Sequence, residues 1–183
     1  MRGFWFGDPP TTTPLPAWFR KDTAFDAQIR ERFGALLATA LAGGLQSWDA
    51  SPAGVLARIL VLDQFTRNAF RDTARAFAGD ALALAAAQAL VARGEDQALT
   101  PLQRWFAYLP FEHAEDIVVQ RQAMALFTTL AEQHPVMADA RHWALKHFEI
   151  IERFGRYPHR NALLGRQSTP EEAAFLLQPG SGF

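Results

Sequence analysis

Ser51-Pro52-Ala53-Gly54-Val55-Leu56-Ala57-Arg58-Ile59-Leu60-Val61-Leu62-Asp63-Gln64-Phe65-Thr66-Arg67-Asn68 is the stretch from which the fold is read. Serine followed by proline is an N-cap plus a residue preset for the first helical turn. The segment therefore predicts a helix running to about Asn68 or Phe70. From Val55 to Leu62 almost every position is apolar, so this helix is expected to be buried on most sides. Asp63 and Arg67 sit one turn apart and continue the inward stripe of Leu56, Ile59 and Leu60. A buried charge is tolerated only when paired and hydrogen-bonded. The two residues read either as an i,i+4 ion pair locking helix to helix or, with Gln64 and Asn68, as the wall of a polar pocket.

The rest of the chain repeats the helical pattern. Thr23 to Ala42 places Phe25, Ile29, Phe33 and Leu36 on one stripe before Gly43-Gly44. Thr73 to Ala92 is alanine-rich and stops at Gly94. Thr100-Pro101 opens a short helix that Pro110 is expected to break at Leu109. Further helices are predicted from Glu112 to Gln133 and from Val136 to Phe154. A loop at Gly155–Pro158, a short helix to Leu164 and a last helix from Thr169 to Leu177 complete the chain. With 33 Ala and 21 Leu against 11 Val plus Ile, the composition favours helix throughout. The expected fold is all-α, a single helical domain over 1–183 of antiparallel helix pairs stacked as a tetratricopeptide-like array. An irregular lead-in over 1–22, held by Trp5 and Trp18, and a frayed tail over 178–183 flank it.

Charge and cysteine content exclude several functions. The 183 residues carry 18 Lys+Arg against 19 Asp+Glu, a net charge of −1, without the basic excess of a nucleic-acid or membrane-surface protein. No cysteine is present, so disulfides, thiol chemistry and thiolate-bound metals are excluded. No stretch is read as a membrane span, and Met1–Gly7 lacks the features of a signal peptide. A cytoplasmic protein is expected, without nucleic-acid or membrane partners and open to a protein partner.

Three polar constellations stand out. Asp63, Gln64, Arg67 and Asn68 form the first. Arg153 to Arg166 forms the second, with Arg156, His159, Arg160 and Asn161 at a loop leading into a helix, a combination suited to phosphate or carboxylate. Its other reading is a set of arginines paired with carboxylates elsewhere. The third is Glu112-His113-Ala114-Glu115-Asp116, which reads as first-turn acids matched to the helix dipole. Its functional reading makes Glu112, His113 and Glu115 acid–base groups or hard metal ligands, but the His-x-x-x-His spacing of a zinc site is missing. No metal and no cofactor are assigned. His147 falls on the stripe of Trp143, Ile150 and Phe154 and reads as a core histidine, whereas His142 shares a solvent face. His134, in a turn before Pro135, carries no signal.

Several blocks together resemble a known family. They are Phe4-Trp5-Phe6-Gly7, Trp18-Phe19, Leu62-Asp63-Gln64-Phe65 with Arg67-Asn68, Leu109-Pro110-Phe111 with His113 and Glu115, and Arg153-Phe154-Gly155-Arg156-Tyr157-Pro158-His159-Arg160-Asn161. In this order, and with Ser168-Thr169-Pro170-Glu171-Glu172 following, they are similar to the bacterial family of unknown function numbered 924. The resemblance implies a tetratricopeptide-like helical protein and brings no activity with it. The chain departs from that pattern at Thr66 (usually proline), Asp72 (usually glycine), and Glu112 and Ala114 (usually Met and Ser). The last change removes a hydroxyl beside His113.

Three functional readings follow. The first is a binding protein whose groove takes an anionic small molecule or peptide carboxylate through Asp63, Gln64, Arg67, Asn68, Arg156, His159, Arg160 and Asn161. The second is an enzyme in which His113 or His159 transfers protons, assisted by Glu112 or Glu115. The third is a scaffold whose polar blocks are internal girders.

Overall fold

The computed structural model describes residues 1–182, whose regular elements are all helices with no strand among the described residues, and Phe183, part of the expected frayed tail, lies outside them. The helices are α1 (Arg2–Phe6), α2 (Thr23–Leu41), α3 (Pro52–Ile59), α4 (Thr66–Ala69), α5 (Asp80–Ala92), α6 (Pro101–Glu112), α7 (Ile117–Gln133), α8 (Ala138–Phe154) and α9 (Pro170–Leu176). Ser51 caps α3 through its side chain, as the Ser-Pro signal predicts. Between α3 and α4 the helix does not stop. It widens into one stretch of π-helix over Leu60–Phe65, all six residues of which are buried.

That widened stretch is the hub of the packing, touching α2, α5 and α6. The stretch is covered on every side, so the neighbours Asp63 and Gln64 are both buried. Thr66 Oγ1 lies 2.8 Å from the Leu62 carbonyl and 3.0 Å from that of Asp63, satisfying backbone groups inside the widened turn.

The alanine-rich segment differs from its prediction. A 3₁₀ turn at Ala74–Phe77 precedes α5, and Gly79 separates the two. A Cβ on Gly79 would lie 2.0 Å from the Leu62 carbonyl oxygen, so only glycine lets the start of α5 approach the π-turn. By length and composition Ala74–Ala92 is apolar enough to cross a membrane, contrary to the reading of the sequence. In the fold it is broken, and α5 buries Ala83, Ala86, Ala87 and Leu90 against its neighbours.

Pro110 does not break its helix. α6 continues to Glu112 and closes with the His113 amide on the Leu109 carbonyl at 2.8 Å. A proline this close to the end deprives only one carbonyl of its ladder partner, and every residue from Leu102 to Glu112 is buried in compensation. The following helix consequently starts at Ile117, capped by Asp116, and not at Glu112. Four-residue links join α6 to α7 and α7 to α8, and short links of this kind hold consecutive helices side by side.

The lead-in is more ordered than expected. α1 buries Trp5 and Phe6, and Trp5 stacks on Trp18 with ring centroids 5.9 Å apart. Trp18 Nε1 donates to the Trp5 carbonyl at 3.1 Å. In the tail, Ser181 is buried and its hydroxyl donates to the Leu176 carbonyl. Trp143, expected in the core, is 45% exposed.

Gly79→Ala forces α5 away from Leu62. A loss of at least ~2 kcal/mol is expected from the overpacking, measured as a lower urea midpoint with an unchanged slope.

Candidate functional site

The polar groups are built outward from Asp63, whose side chain is 0% exposed. Its carboxylate accepts from Gln64 Nε2 at 2.6 Å and meets His113 Nδ1 at 2.7 Å. Arg67 Nη1 lies 3.1 Å from the same carboxylate and donates to the Asp63 carbonyl at 2.9 Å. Burial alone would raise the Asp63 carboxyl, but the Arg67 charge and the His113 contact outweigh it and hold it well below the usual carboxylate range.

Arg67 also reaches Asp80, at the start of α5, through two bonds of 2.8 and 3.1 Å. Arg160, from the distant loop after α8, meets the same Asp80 through Nη1 at 3.3 Å. The two arginine blocks of the sequence thus converge on one carboxylate. The Arg160 guanidinium is flanked by two rings, 4.7 Å from the Phe77 centroid and 4.5 Å from that of Tyr157. Its Nε is buried without a hydrogen-bond partner among the described residues. Burial, then the Arg67 charge, push Arg160 below the ordinary arginine range, whereas Arg67 is pushed above it by Asp63 and Asp80 despite its burial.

On the other side of His113 stand Glu112 and His147. Glu112 Oε1 is 3.1 Å from His147 Nδ1, and that nitrogen is 2.9 Å from the Trp143 carbonyl. Burial, then the charge on Asp63, raise the Glu112 carboxyl well above its ordinary range. Burial, then Arg67, lower His113. Burial, then His113, bring His147 down to about 3, and burial, then Arg160, bring His159 down to about 4. All three imidazoles are therefore neutral at neutral pH. Side-chain exposures of 20% at Arg67 and 23% at Asp80 mark the solvent edge of the cluster. The shallow hollows against Pro14–Thr23 share no residue with it.

The remaining sequence candidates lie elsewhere. Asn68 Nδ2 donates to Asp26 Oδ1 at 2.8 Å, beside the Arg71–Asp26 pair. Arg156 is held by both oxygens of Glu172, at 2.6 and 2.8 Å. Asn161 Nδ2 reaches Ser168 and Glu172 while its oxygen accepts from Arg166. Glu115 is engaged by Arg166 and by the Tyr157 amide, which together hold it below the ordinary range in spite of its burial. Arg156 and Asn161 are girders around the Gly155 turn, where a φ of 69° favours glycine. The first-turn reading of Glu112 is corrected, because it is the last residue of α6. Sequence reasoning missed Asp80, Phe77 and Glu172. Asp80 follows Gly79 at a helix start, a signal that reads only as dipole matching.

The sequence matches the family described as bacterial protein of unknown function (DUF924) over residues 1–180. It is also similar to a solved structure, the protein of unknown function ATU0120 from Agrobacterium tumefaciens. The two are 44% identical over 88% of this chain and 89% of that one, with a TM-score of 0.81. No curated protein matches the chain.

The Arg156–Glu172 girder sets an acid limit. Glu172 is held at about 2 against an ordinary 4.5, chiefly by Arg156. A depressed carboxylate stabilises the fold above its unfolded value and loses that contribution as pH falls toward the folded one. Glu172→Gln is therefore less stable than the native chain at neutral pH. The gap closes between about 4.5 and about 2, checked by urea unfolding across that range.

Proposed function

The chain belongs to the bacterial DUF924 family, and we propose that its central cluster binds the oxyanion of a small molecule or peptide, a phosphate or a carboxylate, on Arg160 with Arg67 beside it. The observation that carries this is the state of Arg160. It is a buried guanidinium with one unpartnered nitrogen, and its contact with Asp80 is a long one to a carboxylate already gripped twice by Arg67. Arg156 supports the contrast, since Glu172 takes it bidentately. Arginine presents a planar fork matched to carboxylate and phosphate, and an incoming oxyanion would complete on Arg160 what Glu172 completes on Arg156. Phe77 and Tyr157 pack their rings against the fork, which reduces the ordering cost of binding. Entry is from the Arg67–Asp80 edge. Of the eight residues that the sequence suggests for this ligand, Asp63 and Gln64 act as supports, Arg67, His159 and Arg160 line the site, and Asn68, Arg156 and Asn161 brace the fold around it.

The test is thermal unfolding of the full chain with inorganic phosphate, citrate and short carboxylated peptides. A ligand at a hundred times its dissociation constant stabilises by about 2.7 kcal/mol, a shift that should weaken with salt. It is expected in the native chain and in Arg156→Ala, each relative to its own baseline, and to be absent in Arg160→Ala. A shift that Arg160→Ala retains, or no shift for any oxyanion, overturns the proposal.

A further inference from the structure

We propose that Glu112, His113 and His147 form a binding site for a divalent transition-metal ion of the zinc class, beside the Arg160 site and built from different residues. Their donor atoms all lie within 4.8 Å of one another. Two come from the end of α6 and one from the middle of α8, so the set exists only because α6 runs through Pro110 to Glu112.

The atoms behind the three ligands support a metal more than a chance cluster does. His113 Nδ1 meets the Asp63 carboxylate at 2.7 Å, which leaves Nε2 as its lone-pair nitrogen, and His147 Nδ1 lies 2.9 Å from the Trp143 carbonyl and 3.1 Å from Glu112 Oε1. A carboxylate or carbonyl behind Nδ1, fixing tautomer and ring orientation, is the usual backing of a metal-bound imidazole. Glu112 supplies the second line of support. It is 2% exposed, and its Oε2 has no hydrogen-bond partner among the described residues. A buried carboxyl oxygen left unmatched is costly, and a cation removes that cost. Arg67, whose guanidinium could have served instead, is committed to Asp63 and Asp80.

The donor set decides the ion. Two imidazole nitrogens and one carboxylate make a three-ligand site with an open position, as catalytic zinc has. Calcium and magnesium, which prefer all-oxygen shells, are disfavoured. Ligand bonds of ~2.0–2.1 Å place tetrahedral donors about 3.4 Å apart, so from separations within 4.8 Å the set closes by at most about 1.4 Å on loading.

The experiment uses the full chain, stripped with chelator and titrated with Co²⁺ in chloride buffer, followed by the visible ligand-field band of four- or five-coordinate cobalt. One Co²⁺ per chain is expected, displaced by Zn²⁺ and unaffected by Mg²⁺ or Ca²⁺. Glu112→Gln, which keeps the shape of the side chain, should weaken binding by at least ~100-fold, since loss of an outer partner alone costs 10–100-fold. His147→Gln should do the same. His142→Gln, on the exposed face of α8, should not. Absence of the band, or a band that survives in Glu112→Gln, overturns the proposal, and Glu112→Gln decides alone if His147→Gln fails to fold. No oxyanion ligand enters this assay, so its failure leaves the Arg160 reading standing. Equally, a flat oxyanion screen leaves this one standing.

Discussion

A carboxylate with no exposure to water, Asp63, is the constraint around which the centre of the molecule is organised. Removing such a charge from water costs several kcal/mol unless every partner is in place. The partners come from three places in the chain. Gln64 and Arg67 come from its own helix and its continuation, and His113 from the end of α6. Asp63 and Gln64 lie side by side in the π-turn, which is buried throughout. Gly79 lets α5 close on that turn so that Asp80 can hold the other end of Arg67. α6 must pass its proline to deliver His113. Breaking any one of these leaves a buried charge without its match.

The buried polar groups then divide by whether they are satisfied. Asp26 with Asn68 and Arg71 ties α2 to α4. Asp96 with Tyr108, and through it Arg104 and Gln133, ties the turn before α6 to α7. Arg156 with Glu172, and Arg166 with Glu115, clamp the loop after α8. In each of these the polar ends meet at 2.5–3.1 Å, and the arrangement explains itself as structure. Around His113 the matching is incomplete. Glu112 Oε2 and Arg160 Nε are both buried without hydrogen bonds among the described residues, and they lie on either side of the Asp63–Arg67 pair. Unmatched groups of opposite character, a carboxyl and a guanidinium, call for ligands of opposite charge. That is why the cluster is read as two adjoining sites and not as another girder.

The all-helical class was legible from alanine and leucine content and from helix starts such as Ser51-Pro52, Thr100-Pro101 and Thr169-Pro170, because these signals are local. The inward pair Asp63 and Arg67 was legible from the apolar run before it. What sequence could not show was partnership. Arg156 and Arg160 look alike in Arg156-Tyr157-Pro158-His159-Arg160, yet one meets a carboxylate sixteen residues on and the other meets Asp80 across eighty. Glu112 was misplaced by one wrong inference, that Pro110 ends its helix. With Glu112 assigned to a first turn it became a dipole match, whereas the core reading of His147 holds, since it is buried. Proline's local penalty is real, but tertiary burial of the whole of α6 outweighed it.

Charge links the two proposed ligands. Arg67 and Arg160 balance Asp63 and Asp80, the three imidazoles are pushed away from their charged form, and burial, then the charge on Asp63, push the Glu112 carboxyl up. A monovalent oxyanion added alone leaves one uncompensated negative charge in a poorly solvated interior. A divalent cation held by an ionised Glu112 and two neutral imidazoles leaves one positive charge. Each alone meets an electrostatic penalty that grows as the dielectric falls, and the two together cancel it. The same edge of the cluster therefore favours a metal and an oxyanion as a pair, each raising the affinity of the other by the same factor. A cation with an open position next to a fixed guanidinium is also the arrangement that polarises a bound carboxylate or phosphate. The step from binding such a group to acting on it thus turns on whether Glu112, His113 and His147 hold their ion.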